Sequence, residues 1–185
     1  MPATLDTRPA LIVIDLQKGI VGLPTAHPAP EIIGRAARIA DAFRQRELPV
    51  VLVNVAGGAP GRTSVSAGGT PPADWADLVP DLKQQDSDHT VTKFTWGAFH
   101  DTNLDSHLRD VGATQVVIVG IATSIGVEST ARSAHEHGFN VVLVTDAMTD
   151  LSADSHDHSV GSVFPKLGEL TNTEELLDLL DAAHV

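Results

Sequence analysis

The sequence contains no cysteine and no tyrosine, only two tryptophans, and half as many basic as acidic residues. Without cysteine there is no disulfide, no thiolate metal site and no thiol nucleophile. With 12 Lys and Arg against 24 Asp and Glu, the formal net charge is −12. A chain this acidic repels nucleic acid and anionic membrane, so neither is an expected partner. No apolar run reaches the ~20 residues that a membrane-spanning helix needs. The longest, such as Ala10–Ile14 and Val116–Val119, are strand-sized. Met1–Pro9 lacks a basic start followed by an apolar stretch, so no secretory signal is expected. A cytoplasmic location is the default for such a chain.

What remains is a chain of 185 residues with 42% hydrophobic content, suited to a single globular domain over residues 1–185. Ala10-Leu-Ile-Val-Ile-Asp15 is a continuous apolar run ending in an acid, the pattern of a strand buried on both faces. Similar strands are read at Pro49–Val55, His89–Lys93, Gln115–Gly120 and Asn140–Thr145. Helical spacing of apolar residues marks Glu31–Arg46, and Pro30 suits its start. Further helices are read at Ala73–Leu82, Asn103–Asp110, Gly126–His137 and Ser155–Lys166. Gly138 closes the third of these. Thr171 with Glu174 resembles a capping box for a last helix ending near Ala183. Ala56–Pro72, rich in Gly, Ser, Thr and Pro, is a long loop. Strands alternating with helices predict a three-layer α/β/α fold around a mainly parallel sheet of five or six strands. Ligands bind beyond the carboxyl ends of such strands. Asp15, Lys93 and the segment after Gly120 then share one rim.

Each of these three pieces has an ordinary and a functional reading. Asp15 could cap a turn or carry a proton, since a buried bare carboxylate is costly. Lys93 could be solvated or catalytic. Trp96 and Phe99, in the aromatic stretch after it, could be core or pocket wall. Gly120-Ile-Ala-Thr-Ser-Ile-Gly-Val-Glu-Ser-Thr-Ala-Arg132 joins a strand to a small-residue helix. It either packs closely or aims backbone amides at an anion or oxyanion.

Taken together, the three pieces resemble the isochorismatase-like hydrolase superfamily, also called the cysteine hydrolase family. It includes nicotinamidases, N-carbamoylsarcosine amidohydrolases and isochorismatases. The likeness runs from Ala10 to about Leu180. Ala10–Gln17 is similar to the family's opening strand, with its catalytic Asp and following Gln. Lys93 and the aromatics after it are similar to the segment of the catalytic Lys. Gly120–Arg132 is similar to the segment that carries the nucleophilic Cys. The resemblance therefore implies Asp15 and Lys93 as catalytic residues and puts Gly126 at the nucleophile's position, without a side chain. It implies a non-proline cis peptide between Ala122 and Thr123, with the Thr123 and Gly126 amides facing a substrate oxygen. Gln17, Arg62, Trp96, Phe99, Ala122, Thr123 and Ser124 are the expected substrate-binding residues. The resemblance also implies a homo-oligomer, a dimer or larger.

Gly offers no nucleophile, so the thioester route of the amidases is closed. Isochorismatases similar to this chain also carry Gly there, and they cleave a vinyl ether with an Asp acid and water. The expected function is therefore hydrolysis of a small molecule by water, without a covalent intermediate. Alternatives are a binding protein that lost its nucleophile, or an amide hydrolase using activated water or Ser124. Ser124 stands two residues before Gly126 and points elsewhere if the turn keeps the family shape. Isochorismate itself is not the expected substrate. It has two carboxylates, and Arg62 is the one obvious cation besides Lys93. The turn Ala122-Thr123-Ser124 also lacks the aromatic and the His that isochorismatases show. No metal or cofactor is expected. Asn54-Val-Ala-Gly-Gly58 lacks the Asp-x-His group of the nicotinamidases. His156 and His158, two apart on a helix, do not converge on one ion. The histidines are read as surface residues.

Overall fold

The computed structural model describes residues 3–64 and 69–183. Six strands form one sheet in the order β3-β2-β1-β4-β5-β6. They are β1 (Pro9–Ile14), β2 (Val50–Val55), β3 (His89–Lys93), β4 (Gln115–Ile121), β5 (Asn140–Thr149) and β6 (Glu169–Thr171). Every pairing is parallel. The helices are a single turn α1 (Lys18–Val21), then α2 (Ala29–Gln45), α3 (Leu104–Asp110), α4 (Glu128–Glu136), α5 (Ala153–His158) and α6 (Thr173–Ala182).

Parallel strands need crossovers, and the crossovers cover both faces of the sheet. Side chains alternate along β1: Leu11 and Val13 face one apolar layer, while Ala10, Ile12 and Ile14 face the other. That is why the run carries no polar residue. On the first face, Ile32, Ala36, Ile39, Ala40 and Phe43 of α2 pack with Leu176 and Leu180 of α6. On the second, Leu104 and Leu108 of α3 pack with Ala131 and Ala134 of α4. The two layers and the sheet make the α/β/α sandwich the sequence predicts.

The chain runs outward from β1 through β2 to β3, then returns to lay β4 on the other side of β1. The connections leaving β1 and β4 therefore diverge, and a crevice opens between them. Asp15 follows β1 directly with φ 52°. This left-handed conformation is one that a short polar residue tolerates better than a branched one.

Several boundaries differ from the sequence reading. Ala73–Leu82 is not a helix: it is a series of turns ending in a 3₁₀ turn, Pro80–Leu82. Tertiary bonds hold it instead, with the Lys18 and Gly19 amides donating to the Asp77 and Trp75 carbonyls. Ser155–Lys166 is broken into α5, a π-helical turn (Ser159–Val163) and a 3₁₀ turn at Pro165. The helix read from Gly126 starts earlier, as a π-helical turn over Thr123–Val127. Thr171 does not cap α6. It ends β6, and the Asn172 side chain accepts from the Glu175 amide at 2.9 Å. At three residues β6 is too short to leave a periodic signal.

One glycine is fixed by the sheet itself. Gly120 pairs with Ile14, and its φ of +126° suits no L side chain. A Cβ there would lie 2.1 Å from the Ile14 carbonyl oxygen. Gly120→Ala is expected to lose at least ~2–3 kcal/mol, because two backbones would have to separate at the sheet centre. Urea unfolding tests this, and an unchanged midpoint would contradict the register of β1 and β4.

Candidate functional site

The carboxyl ends of β1 and β3 are separated by β2, a span of about 10 Å between strand axes. A lysine is long enough to cross it. Lys93 Nζ reaches over the end of β2 and donates to Asp15 Oδ2 at 2.8 Å. It also donates to the Thr95 carbonyl at 3.2 Å. Both residues are nearly closed off, Asp15 at 5% exposure and Lys93 at 2%. The other carboxylate oxygen, Asp15 Oδ1, is buried and has no hydrogen-bond partner.

Two opposed forces act on the Asp15 proton. Burial raises its pKa, and the charge and hydrogen bond of Lys93 lower it. Burial is the larger, and the group is pushed up from 3.8 to about 6.

Asp15 and Lys93 form the floor of a cavity of ≈ 220 Å³. Thr95, Trp96, Ile121, Ala122, Ile125 and Gly126 line one part of it. Ile20, Leu23, Val55, Gly57, Trp75 and Leu151 line the rest. The turn after β4 enters through Ala122, Ile125 and Gly126. A Cβ at Gly126 would stand 3.1 Å from Asp15 Oδ2 and 2.9 Å from Ile14 Cγ2. The Asp15 carboxylate thus lies directly against the bare backbone of position 126.

The expected site residues divide. Asp15, Lys93, Gly126, Trp96 and Ala122 line the cavity; Gln17, Arg62, Phe99, Thr123 and Ser124 do not. Gln17 is fully buried and acts as a clamp. It accepts from the Val55 amide and donates to the Val55 and Trp75 carbonyls, fixing β2 to the Trp75 turn. Phe99 is core, its ring 5.0 Å from His137 and 6.1 Å from Phe139. Arg62 is exposed on the loop after β2. The cis peptide is a correction: it joins Ile121 to Ala122, one residue before the expected bond. The Ala122 carbonyl already starts the π-helical turn, accepting from the Ile125 and Val127 amides.

Beneath the turn lies a polar network that sequence reasoning missed. The Ser124 amide and hydroxyl both donate to Asp150 Oδ2, at 2.7 and 2.8 Å. Ser124 is therefore held away from the cavity. Thr123 Oγ1 lies 2.9 Å from His156 Nδ1, and His156 packs edge-on against His27 at 4.8 Å. Burial, and then His27, lower the His156 pKa. The sequence reading took His156 for a surface residue, but it is only 7% exposed. Its signal was hidden because the other polar residues of α5, Asp154, Ser155, Asp157 and His158, surround it in sequence, and only the tertiary packing turns this one inward. Among the described residues, no group of three or more His, Asp or Glu could hold a metal ion. Asn54 is occupied, donating to the Ala76 carbonyl and accepting from Thr92.

Two substitutions follow from this geometry. Gly126→Ala is expected to cost about 1–3 kcal/mol, since the added methyl must displace Ile14 or the carboxylate. Asp150→Ala removes the acceptor of the half-buried Ser124 amide and hydroxyl, and about 1 kcal/mol with it. Hydrogen exchange at Ser124 is expected to accelerate in Asp150→Ala while the sheet amides stay protected. Unchanged exchange would show that Asp150 does not hold the turn.

Known proteins share this arrangement of sequence and fold. The isochorismatase domain family matches residues 9–175. The isochorismatase family protein YwoC of Bacillus subtilis is 42% identical over 179 residues, covering 92% of this chain and 93% of that protein. The isochorismatase family protein YecD of Escherichia coli O157:H7 is 40% identical over 181 residues, covering 92% and 95%. The structure of an isochorismatase family protein from Burkholderia thailandensis superimposes with a TM-score of 0.93 at 39% identity, over 98% of this chain and 100% of that one. The six-stranded parallel sheet and the match over most of its length place this chain in the isochorismatase family of hydrolases.

Proposed function

We propose that the chain hydrolyses a small molecule by direct addition of water, with Asp15 as the proton carrier and no covalent intermediate. One observation carries this reading: Asp15 has one oxygen held by Lys93 and the other buried without a partner. Lys93 keeps Oδ2 free of the proton, so the proton belongs on Oδ1. With a pKa of about 6, a usable fraction of the carboxyl is protonated near neutrality.

The bond best suited to this group is a vinyl ether or a related C–O bond. Protonated Asp15 gives its proton to the vinyl carbon, and an oxocarbenium ion forms. Water adds to that ion and returns one proton to the Asp15 carboxylate. The resulting hemiketal collapses to a carbonyl compound and an alcohol. Position 126, which we assign as the place of the missing cysteine nucleophile, then needs no side chain. Its glycine lets the carboxylate lie against the backbone, 3.1 Å from where a Cβ would be. Of the two amides expected to face the substrate oxygen, that of Gly126 lies at the cavity wall and is the proposed partner; Thr123 does not line the cavity.

A serine route has less support. Ser124 Oγ already donates to Asp150 and does not line the cavity. Asp150 holds the hydroxyl in place for the turn, with no imidazole between them to take its proton.

The test is a panel of enol ethers and amides, read by carbonyl release and ammonia release. Enol-ether cleavage is expected to fall at least ~100-fold in Asp15→Asn and to persist in Ser124→Ala. Hydroxylamine is expected to leave the product unchanged, since no acyl group is held on the protein. Because the acid form is the active one, kcat/KM is expected to be highest below about pH 6 and to fall roughly tenfold per unit above it. Ammonia release that disappears in Ser124→Ala, or a rate that rises through pH 6, would overturn this mechanism.

A further inference from the structure

We infer that this cavity selects small, planar molecules without net charge and turns away those bearing a carboxylate. The inference rests on reading the cavity as the reacting site and adds the class of substrate it admits.

The charges in the wall add to nothing. Among the described residues lining the cavity, Asp15 and Lys93 are the two charged ones, and they neutralise each other at 2.8 Å. The ammonium is further committed to the Thr95 carbonyl. A substrate carboxylate would find no free cation and would face the Asp15 carboxylate across the floor. Burying an unpaired carboxylate beside a like charge is strongly unfavourable. Lys18 is flanked by Asp74 at 3.0 Å and Asp77 at 3.1 Å, so that cluster is itself negative by one charge. Arg62 is the sole charged residue between Ala56 and Pro72, and it stands outside the cavity.

The remaining wall is mostly apolar, and two of its side chains are planar indoles. Ile20, Leu23, Ile125 and Leu151 surround two indoles, Trp75 and Trp96. The Trp75 ring lies against Gly19, where a Cβ would come within 2.0 Å of it. That close seat fixes one aromatic wall. Trp96 is 64% exposed at the mouth. A volume of ≈ 220 Å³ lies below the ~300–1,000 Å³ of pockets for drug-sized ligands, which limits the guest to about one ring and its substituents. Asp15 Oδ1 is buried and makes no hydrogen bond.

The molecule supplies its own probe. Both tryptophans line this cavity and the chain has no tyrosine, so selectively excited fluorescence reports the site alone. Benzamide and benzoate are matched in shape and differ in charge. At about pH 8, benzamide is expected to quench the fluorescence saturably, and benzoate to bind about tenfold or more weakly. At about pH 5 the gap is expected to narrow, because a protonated Asp15 leaves the Lys93 charge unbalanced. Asp15→Asn is expected to shift the preference toward benzoate at both pH values, for the same reason. Benzoate binding equal to benzamide at about pH 8 would overturn the inference, above all if lost in Arg62→Ala. Failure of both probes to bind would overturn it as well. Binding is read here without turnover. Selective binding with no hydrolysis of any panel compound would defeat the proposed reaction and leave the selectivity standing. Cleavage confined to carboxylate-bearing ethers would do the reverse.

Discussion

The site depends on a buried ion pair that crosses a strand. Asp15 and Lys93 come from β1 and β3, so their contact over the end of β2 requires β1–β2–β3 in register. Removing either partner would strand the other charge in a closed apolar environment, which costs several kcal/mol. The pair also explains the chemistry available. Lysine holds one carboxylate oxygen and burial raises the proton affinity of the other. Neither effect alone would give a carboxyl that both keeps its orientation and exchanges a proton near neutrality.

The surrounding structure protects this arrangement. Gly120 lets β4 approach β1 closely enough for the following turn to reach Asp15. Asp150 ties Ser124 down, and His156 meets Thr123, so the turn is held from below by its side chains. Gln17 ties the Trp75 turn to β2 and so sets one wall of the cavity. Residues that are not in contact with the cavity thus fix those that are.

Five of the six strands and the main helices were legible in the sequence, because burial leaves a continuous apolar run or an apolar stripe. β1, and β4 after Gln115, carry no polar side chain since both faces are covered, and α2 keeps its apolar stripe toward the sheet. What was illegible depends on tertiary partners. The turns over Ala73–Leu82 are held by Gln17 and α1, which no local pattern encodes. At the rim, Asp15, Lys93 and the turn were visible as strand-end residues. Ile20, Leu23, Trp75 and Leu151 were not, because they come from connections whose folding back over the site has no periodic signature. Gln17, Phe99 and Ser124 show the converse. Each sits close in sequence to a cavity residue, yet clamps, fills or ties the scaffold.

The turn centred on Gly126 is packed against the acid. Its backbone supplies the wall beside Asp15, and a side chain at 126 would compete with that carboxylate for space. The acid and the bare turn are two halves of one arrangement.

The most direct measurement is a carboxyl carbon NMR titration of Asp15 in the intact protein, repeated in Lys93→Met. A midpoint near 6 in the native chain, moving upward when the lysine is removed, is the predicted result. A midpoint at or below the ordinary value of 3.8 would contradict the account, since the carboxyl would then have no proton to give.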